Sequence, residues 1–495
     1  MTFLGIDVGT SAVKAVVVDE AGSTVAEADA PLATDRPVPG WSEQWPDAWL
    51  AATRSALAAV ARSAPEPWGR IKAIGLSGQM HGAVVLGPDD RPLRPAILWN
   101  DGRASAEARA LNLGVHDLGR IAGVPAMAGF TAPKLLWLAR HEPEIHARIA
   151  HLLLPKDYVR LALTGERVTD PCDAAGSLLL DEAKRTWHRP TVEAVGLDPS
   201  ALPAILEGPE VSGRLTARAA AELGLPAGIP VATGAGDAAA GAIGIGAVDD
   251  GDSFISIGTS CQLFVTDAAY RPNPEALVHA FAHGIPDRWF SMAAMLNGAS
   301  PLAWLAGVLG GGDVGALIAG VAAAGKAISP VTALPYLAGE RTPLDDPDAR
   351  GVLFGLDGST TAADIAQAVM EALAFTLMDA DRVLADAGVR AVDPSVVGGG
   401  ARSRLWVEMI ASALDRPVRL VAGAATGPAN GAARLARLAV TGEPVESVCE
   451  KPSAVDIVQP DPARRDALAR RYPEFRALYA ALRDRFRLAA ATSNQ

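Results

Sequence analysis

The sequence predicts an α/β protein built from two related domains, and three observations carry the prediction. The string Ile6-Asp7-Val8-Gly9-Thr10-Ser11 recurs as Ile255-Ser256-Ile257-Gly258-Thr259-Ser260, 249 positions later in a chain of 495 residues. One echo at half the chain length speaks for duplicated domains rather than a solenoid of short repeats. Between the copies, β-branched runs alternate with helical patterns, the texture of an α/β fold. With 49% hydrophobic and 20% charged residues, the chain can bury two large cores or three smaller ones.

Each copy of the echo reads as a strand, a tight Gly turn and a second strand, over Ala12 to Val18 after the first and Gln262 to Val265 after the second. Helical patterns follow over Pro46 to Arg62, where a Pro opens an Ala/Leu-rich period, and over Ala132 to His141. Strands are expected at Ile71 to Leu76, Ala83 to Leu86 and Pro230 to Thr233. From Ala242 to Asp252 the sequence turns abruptly from apolar to acidic and Gly-rich, which marks a domain boundary and gives domains of 1–247 and 253–441. Residues 442–495 then read as a helical extension. Asp461-Pro462 supplies its cap, and Leu468, Tyr472, Phe475, Tyr479, Leu482 and Phe486 form an apolar packing stripe interrupted by Pro473.

A net charge of −12 does not favour nucleic acid or an anionic membrane as a partner, so any phosphate must be held locally. Cys172, Cys261 and Cys449 form no CxxC pair or Cys/His cluster, and neither a disulfide framework nor a zinc site follows. No run of about 20 apolar residues is present to span a bilayer. The charged Asp7 comes too early for a signal peptide, so a cytoplasmic location is expected.

The chemistry starts at the Gly turns. A Gly-Thr-Ser turn between strands can offer backbone N–H groups and two hydroxyls to a phosphate, and two equivalent copies, Gly9-Thr10-Ser11 and Gly258-Thr259-Ser260, make that reading stronger than a pair of ordinary hairpins. Neither GxxxxGK[ST] nor a strand-linked GxGxxG occurs, which removes the P-loop and Rossmann templates. Asp7 precedes the first turn, where a carboxylate would repel phosphate unless a cation such as Mg²⁺ lay between them. The matching residue in the second copy is Ser256, so one metal site is implied; a solvated edge-strand carboxylate is the alternative. A third turn, Gly398-Gly399-Gly400, lies between a β-branched run and a helical pattern over Leu405 to Leu414, and its flat surface could admit a base or ribose. Asp237, among small residues and ahead of Ala238-Ala239-Ala240, is either a functional carboxylate or a helix cap. A helix N-terminus there would lower its pKa.

Two longer strings give the chain a family. Gly129-Phe130-Thr131-Ala132-Pro133-Lys134-Leu135-Leu136-Trp137-Leu138-Ala139-Arg140-His141, and the stretch from Gly351-Val352-Leu353-Phe354-Gly355-Leu356 to Met370-Glu371, resemble the two signatures of the FGGY carbohydrate kinases of the actin-like ATPase superfamily. Trp41-Ser42-Glu43-Gln44, Gln79-Met80-His81-Gly82, Trp99-Asn100-Asp101-Gly102-Arg103 and Leu154-Pro155-Lys156-Asp157-Tyr158 resemble the bacterial xylulokinase branch. The resemblance implies two actin-like (ribonuclease H-like) domains with a catalytic cleft between them. It implies ATP and Mg²⁺ as cofactors, phosphoryl transfer to a ketopentose such as D-xylulose, and a homodimer. It makes Asp237 the catalytic base and a substrate contact, Met80 and His81 further sugar contacts, Asp7 the metal residue, and Gly398, Gly399 and Gly400 the border of the adenosine. The two Gly-Thr-Ser turns would grip phosphates from opposite domains, which must close to react. Trp99, Asn100, Asp101 and Arg103 are further sugar candidates, with a pairing of Asp101 and Arg103 to each other as the equal alternative. Without the family, Met80 and His81 would read as structural.

One residue departs from the pattern: Ala238 stands where that branch usually has Asn, which removes a hydrogen bond to the sugar and leaves substrate identity open. A kinase for another ketose, a polyol or a deoxyxylulose is the nearest alternative, and a non-catalytic sugar or nucleotide sensor is a distant one.

Overall fold

The computed structural model describes residues 1–309, 311–421 and 427–493. Its first sheet is built from β1 (Thr2–Val8), β2 (Ala12–Asp19), β3 (Thr24–Pro31), β4 (Ile71–Gly78), β5 (Val211–Arg214), β6 (Pro230–Ala232) and β7 (Ala235–Gly236). The order is β5-β6-β4-β1-β2-β3, with β7 continuing along β4. The second sheet holds β8 (Asp252–Ile257), β9 (Cys261–Asp267), β10 (His279–Ala282), β11 (Trp289–Met295), β12 (Val392–Val397), β13 (Val418–Val421) and β14 (Ala454–Val458), ordered β10-β11-β9-β8-β12-β13-β14.

The echo in sequence is therefore an echo in topology. Reading from β3 to β5, successive pairs are antiparallel, antiparallel, parallel, parallel and antiparallel. Reading from β11 to β14 gives the same series. The register differs by one residue. Val8 pairs with Val13 across a four-residue loop, whereas Ile257 pairs with Cys261 across three, so Asp7 faces Lys14 and Ser256 faces Gln262.

One expectation needs correction. The segment 442–495 is not helical throughout, because Ala454–Val458 forms β14 and completes the second sheet. Its β-branched alternation, Val455, Ile457 and Val458, carried that signal. The last helix within the 253–441 bounds bridges the two domains. Helix α7 (Pro428–Thr441) lies on the first sheet, where Gly5 and Gly75 admit its backbone: a Cβ on them would stand 1.9 Å from the Ala429 oxygen and 1.8 Å from the Ala432 oxygen.

Earlier helices follow the sequence closely. In α1 (Pro46–Ser63), Trp49, Ala56, Leu57 and Val60 are buried against the first sheet. Helix α2 (Thr131–His141) and α3 (Pro155–Thr164) carry residues that support the cleft. Helix α4 (Asp237–Gly244) meets α7 at glycine distance, since a Cβ on Gly431 would sit 1.8 Å from the Ala240 oxygen. The long α5 (Ala362–Asp386), α6 (Arg404–Leu414) and α8 (Pro462–Ser493) pack in the second core. Asp461 caps α8, accepting the Arg464 N–H at 2.7 Å, and Leu468, Phe475 and Phe486 are buried while Pro473 points outward. Among the described residues no helix is long and apolar enough to cross a membrane.

Candidate functional site

Strand register assembles the site. Asp7 of β1 pairs with Ser77 of β4, and Ala235 and Gly236 of β7 pair with Ser77 and Gly78. Asp7, the Gly78–His81 segment and Asp237 thus emerge side by side from neighbouring strand ends. The second domain faces them with Ser256 of β8, Gln262 of β9 and the Val397-Gly398 turn. A cavity of 340 Å³ lies between, lined by Asp237, Ala238, Ser256, Gln262, Gly398 and Gly427 among others.

Asp237 is the first residue of α4 and its Oδ1 accepts the Ala238 N–H at 2.8 Å. The helix end does not lower its pKa as the sequence suggests. Burial pushes it up to about 6, outweighing the backbone N–H groups that pull it down. Asp7 is raised to about 7 by burial and then by the charge of Asp237, with the Ser77 hydroxyl and Lys14 pulling it part of the way back. Its Oδ1 is buried and has no hydrogen-bond partner. A buried carboxylate with an unpartnered oxygen and a second carboxylate near enough to raise its pKa form a setting suited to a cation. No group of three or more His, Cys, Asp or Glu could hold a metal among the described residues, so a metal here would take most of its ligands from phosphate and water, the usual habit of Mg²⁺.

The first Gly-Thr-Ser turn is braced by glutamines. Gly9 N–H closes the turn on the Ala12 carbonyl at 3.1 Å. The Thr10 hydroxyl donates to Gln79 Oε1 at 2.9 Å and accepts from Trp99 Nε1 at 3.0 Å, and Gln44 Nε2 donates to the Thr10 carbonyl at 2.8 Å. Gln44 and Gln79 bond each other at 3.1 Å. Ser11 is exposed, as are Gly258, Thr259 and Ser260 in the second turn, whose Gly258 N–H bonds the Ser260 carbonyl at 3.0 Å. In the third turn Gly398 has φ +89° and, like Gly400, packs on Ile257, where a Cβ would collide; Gly399 faces open space.

Met80 is buried and lies against Gly236, on which a Cβ would come 2.7 Å from the Met80 Cγ. His81 has φ +70°, a left-handed backbone uncommon for a residue with a side chain. Its carbonyl is pinned by Lys134 Nζ at 2.8 Å and Thr131 Oγ1 at 3.0 Å, both from α2, and its Nδ1 lies 2.8 Å from the Gly176 carbonyl. Strain held in place this firmly is a mark of functional sites. Burial lowers the His81 pKa to about 3, so the ring is neutral.

Beneath this segment lies a fully buried charge cluster that sequence reasoning missed. Lys156 Nζ pairs with Asp157 at 2.5 Å, Asp170 at 2.6 Å and Asp173 at 3.2 Å, while Arg160 binds Asp157 and the carbonyls of Val168 and Thr233. Burial raises the Asp173 pKa well above the usual range, against the pull of the Lys156 charge. Only Lys156 and Asp157 carried a sequence signal, inside the Leu154 to Tyr158 string.

The candidates around Trp99 divide. Trp99 covers Thr10, and Asn100 is exposed. Asp101 and Arg103 are bound to each other at 2.7 and 2.9 Å; Asp101 also accepts the Ser42 N–H at 2.6 Å, and Arg103 lies over the Trp41 ring at 3.6 Å and pairs with Glu43 at 2.7 Å. Their polar atoms are committed to holding the loop, the second of the two roles open to them in sequence.

Comparison with known proteins agrees with this architecture. Residues 2–244 match the N-terminal domain model of the FGGY family of carbohydrate kinases, and residues 253–440 match its C-terminal domain model. The chain is 43% identical to a xylulose kinase of Escherichia coli, across 96% of this chain and 98% of that one. It superposes on a Brucella ovis kinase crystal structure with a TM-score of 0.95 at 43% identity, covering 97% and 99% of the two chains. The xylulose kinase of Rhodospirillum rubrum gives a TM-score of 0.92 at 32% identity, covering 98% and 100%.

Proposed function

The chain belongs to the FGGY family of carbohydrate kinases and is an ATP-dependent sugar kinase with the actin-like ATPase fold, and we propose that its substrate is D-xylulose, phosphorylated on O5. Asp237 is the general base. With a pKa of about 6 it is ionised at neutral pH, yet basic enough to accept a hydroxyl proton. The proton on O5 passes to the Asp237 carboxylate as O5 attacks the γ-phosphorus in line, the bond to the β-phosphate oxygen breaks and ADP leaves. A loose transition state asks little of the base and much of positioning.

The residues fit a Mg²⁺ ion, because the buried Asp7 Oδ1 has no hydrogen-bond partner and a cation there would relieve the repulsion that Asp237 exerts on Asp7. Bound there, Mg²⁺ would offset charge on the transferring phosphate. Within this proposal residues 1–247 supply the sugar and base side, with Met80 and His81 beside Asp237, and 253–441 supply the nucleotide side, with Gly258–Ser260 and Gly398–Gly400. Closing the domains excludes water from the reacting phosphate. A homodimer belongs to the same reading, supported by the exposed apolar Trp304, Phe354 and Leu356 on the second domain, and light scattering would check it.

The observation that carries the proposal is the pair of cleft carboxylates, one held near neutral pKa at a helix start and one with a free oxygen. The test is ADP release with D-xylulose, L-xylulose, D-ribulose, L-ribulose, 1-deoxy-D-xylulose, glycerol and gluconate, with Asp237→Ala in parallel. D-Xylulose is expected to dominate and the variant to be inactive. Ala238, which lines the cavity with a methyl group only, favours a second reading in which another sugar dominates.

A further inference from the structure

Arg341 lies in the second domain, beside a glutamate already committed elsewhere. The Glu340 carboxylate accepts the Leu296 N–H at 2.6 Å, the Arg341 N–H at 2.8 Å and Asn297 Nδ2 at 3.1 Å. The Arg341 guanidinium is half-buried and forms no hydrogen bond or ion pair with any described residue. The next residue, Thr342, donates its N–H to the Ala294 carbonyl of β11 at 3.3 Å and its hydroxyl to the Leu277 carbonyl at 3.0 Å, which sets Arg341 beside the β10–β11 pair where His279 lies opposite Met292, and its positive charge bears on His279 and on His81 of the first domain. The Phe130 ring joins these two, 4.4 Å from His81 and 6.0 Å from His279 between ring centroids. His279 Nδ1 is buried without a partner.

The chemistry of this group selects a ligand. A carbonyl only accepts, so the contact with Gly176 fixes the His81 proton on Nδ1 and leaves Nε2 as an acceptor. Burial and the charge of Arg341 keep both imidazoles neutral, with pKa values lowered to about 3. A guanidinium only donates. Such a surface wants a partner that accepts at one atom and donates at the next, as the hydroxyls and carbonyl of a neutral sugar chain do. A carboxylate or phosphate would suit Arg341 but meet the lone pair of His81. Buried polar groups left unpaired are costly, and a ligand that pairs them binds with strong discrimination.

We propose that Arg341, with His81 and His279, grips the end of the sugar remote from Asp237 and selects a neutral polyhydroxy ketone over an acid. This rests on the kinase reading above and assigns the substrate class to residues on both domains, so the bound sugar itself ties the domains together.

Arg341→Met and Arg341→Lys would be compared with the parent chain for sugar KM, ATP KM, kcat and melting temperature. Losing a charged donor predicts a sugar KM raised about 10–100-fold in Arg341→Met. ATP KM should stay within twofold, and the melting temperature should not fall, because no protein group loses a partner and a desolvated charge is removed. Arg341→Lys should recover part of the affinity. A sugar KM that moves less than threefold, or an ATP KM that rises in step with it, would overturn the proposal. If the parent chain prefers a sugar other than D-xylulose, the substrate reading falls while the same comparison, made on that sugar, still decides the role of Arg341.

Discussion

Asp237→Asn should abolish turnover and stabilise the protein. The Asp237 pKa rises from 3.8 in the unfolded chain to about 6 in the fold, so its ionised form is disfavoured by roughly 2 pKa units, or about 3 kcal/mol. Asp237 keeps some solvent exposure on the cavity, which reduces this to about 1–3 kcal/mol. The sign follows from proton binding. Between pH 4 and 6 the native state holds a proton that the unfolded state has released, so raising the pH through that window destabilises the native state, and above 6 the full penalty is present. Asparagine keeps the shape without the charge. At pH 7.5 the variant should therefore melt ~2–5 °C higher by calorimetry, with the gap closing as the pH falls toward 4. Its kcat should fall by about 10²–10⁴-fold. A variant that is less stable than the parent, or a gap that does not change with pH, would refute the electrostatic account of the base.

Other perturbations address separate parts of the site. If Asp7 holds Mg²⁺ as proposed, Asp7→Asn should raise the Mg²⁺ concentration for half-maximal rate by about 10–100-fold in a metal titration. The acid limb of kcat/KM should lie between about pH 6 and 7, where Asp237 and Asp7 ionise, and stay unmoved in His81→Gln, since His81 is neutral throughout that range. Lys156→Met should cost about 3–5 kcal/mol in urea unfolding, because it leaves the buried Asp157, Asp170 and Asp173 without their shared cation.

What was legible in the sequence was local or repeated. The two Gly-Thr-Ser hairpins, α1 with its opening Pro, and α8 with its Asp461 cap declare themselves by spacing; the hairpins and α1 form within about two residues of the expected bounds, and α8 begins at its expected cap. What stayed hidden depends on contacts between distant segments. The one-residue difference between the hairpins is invisible in identical tripeptides, yet it places Lys14 opposite Asp7 and Gln262 opposite Ser256. The sign of the Asp237 shift was missed for the same reason: a helix start is a local feature, while burial is supplied by strands and a second domain far away in sequence.

The buried Lys156 cluster and Arg341 make the same point in opposite directions. Lys156, with a full complement of carboxylates, is finished chemistry and acts through structure, supporting α3 and the segment that strains His81. Arg341, with Glu340 turned away from it, is unfinished chemistry. A long charged side chain reads alike in sequence in both cases, and only the presence or absence of partners in three dimensions separates a residue that holds the fold from one that waits for a ligand. That distinction also bears on Ala238. A hydrogen bond absent beside the reacting hydroxyl does not by itself relax selectivity when the remote end of the sugar meets Arg341, His81 and His279, so an Ala238→Asn variant should change sugar KM less than Arg341→Met does, and steady-state kinetics on the same sugar would show the reverse order if position 238 governs selection.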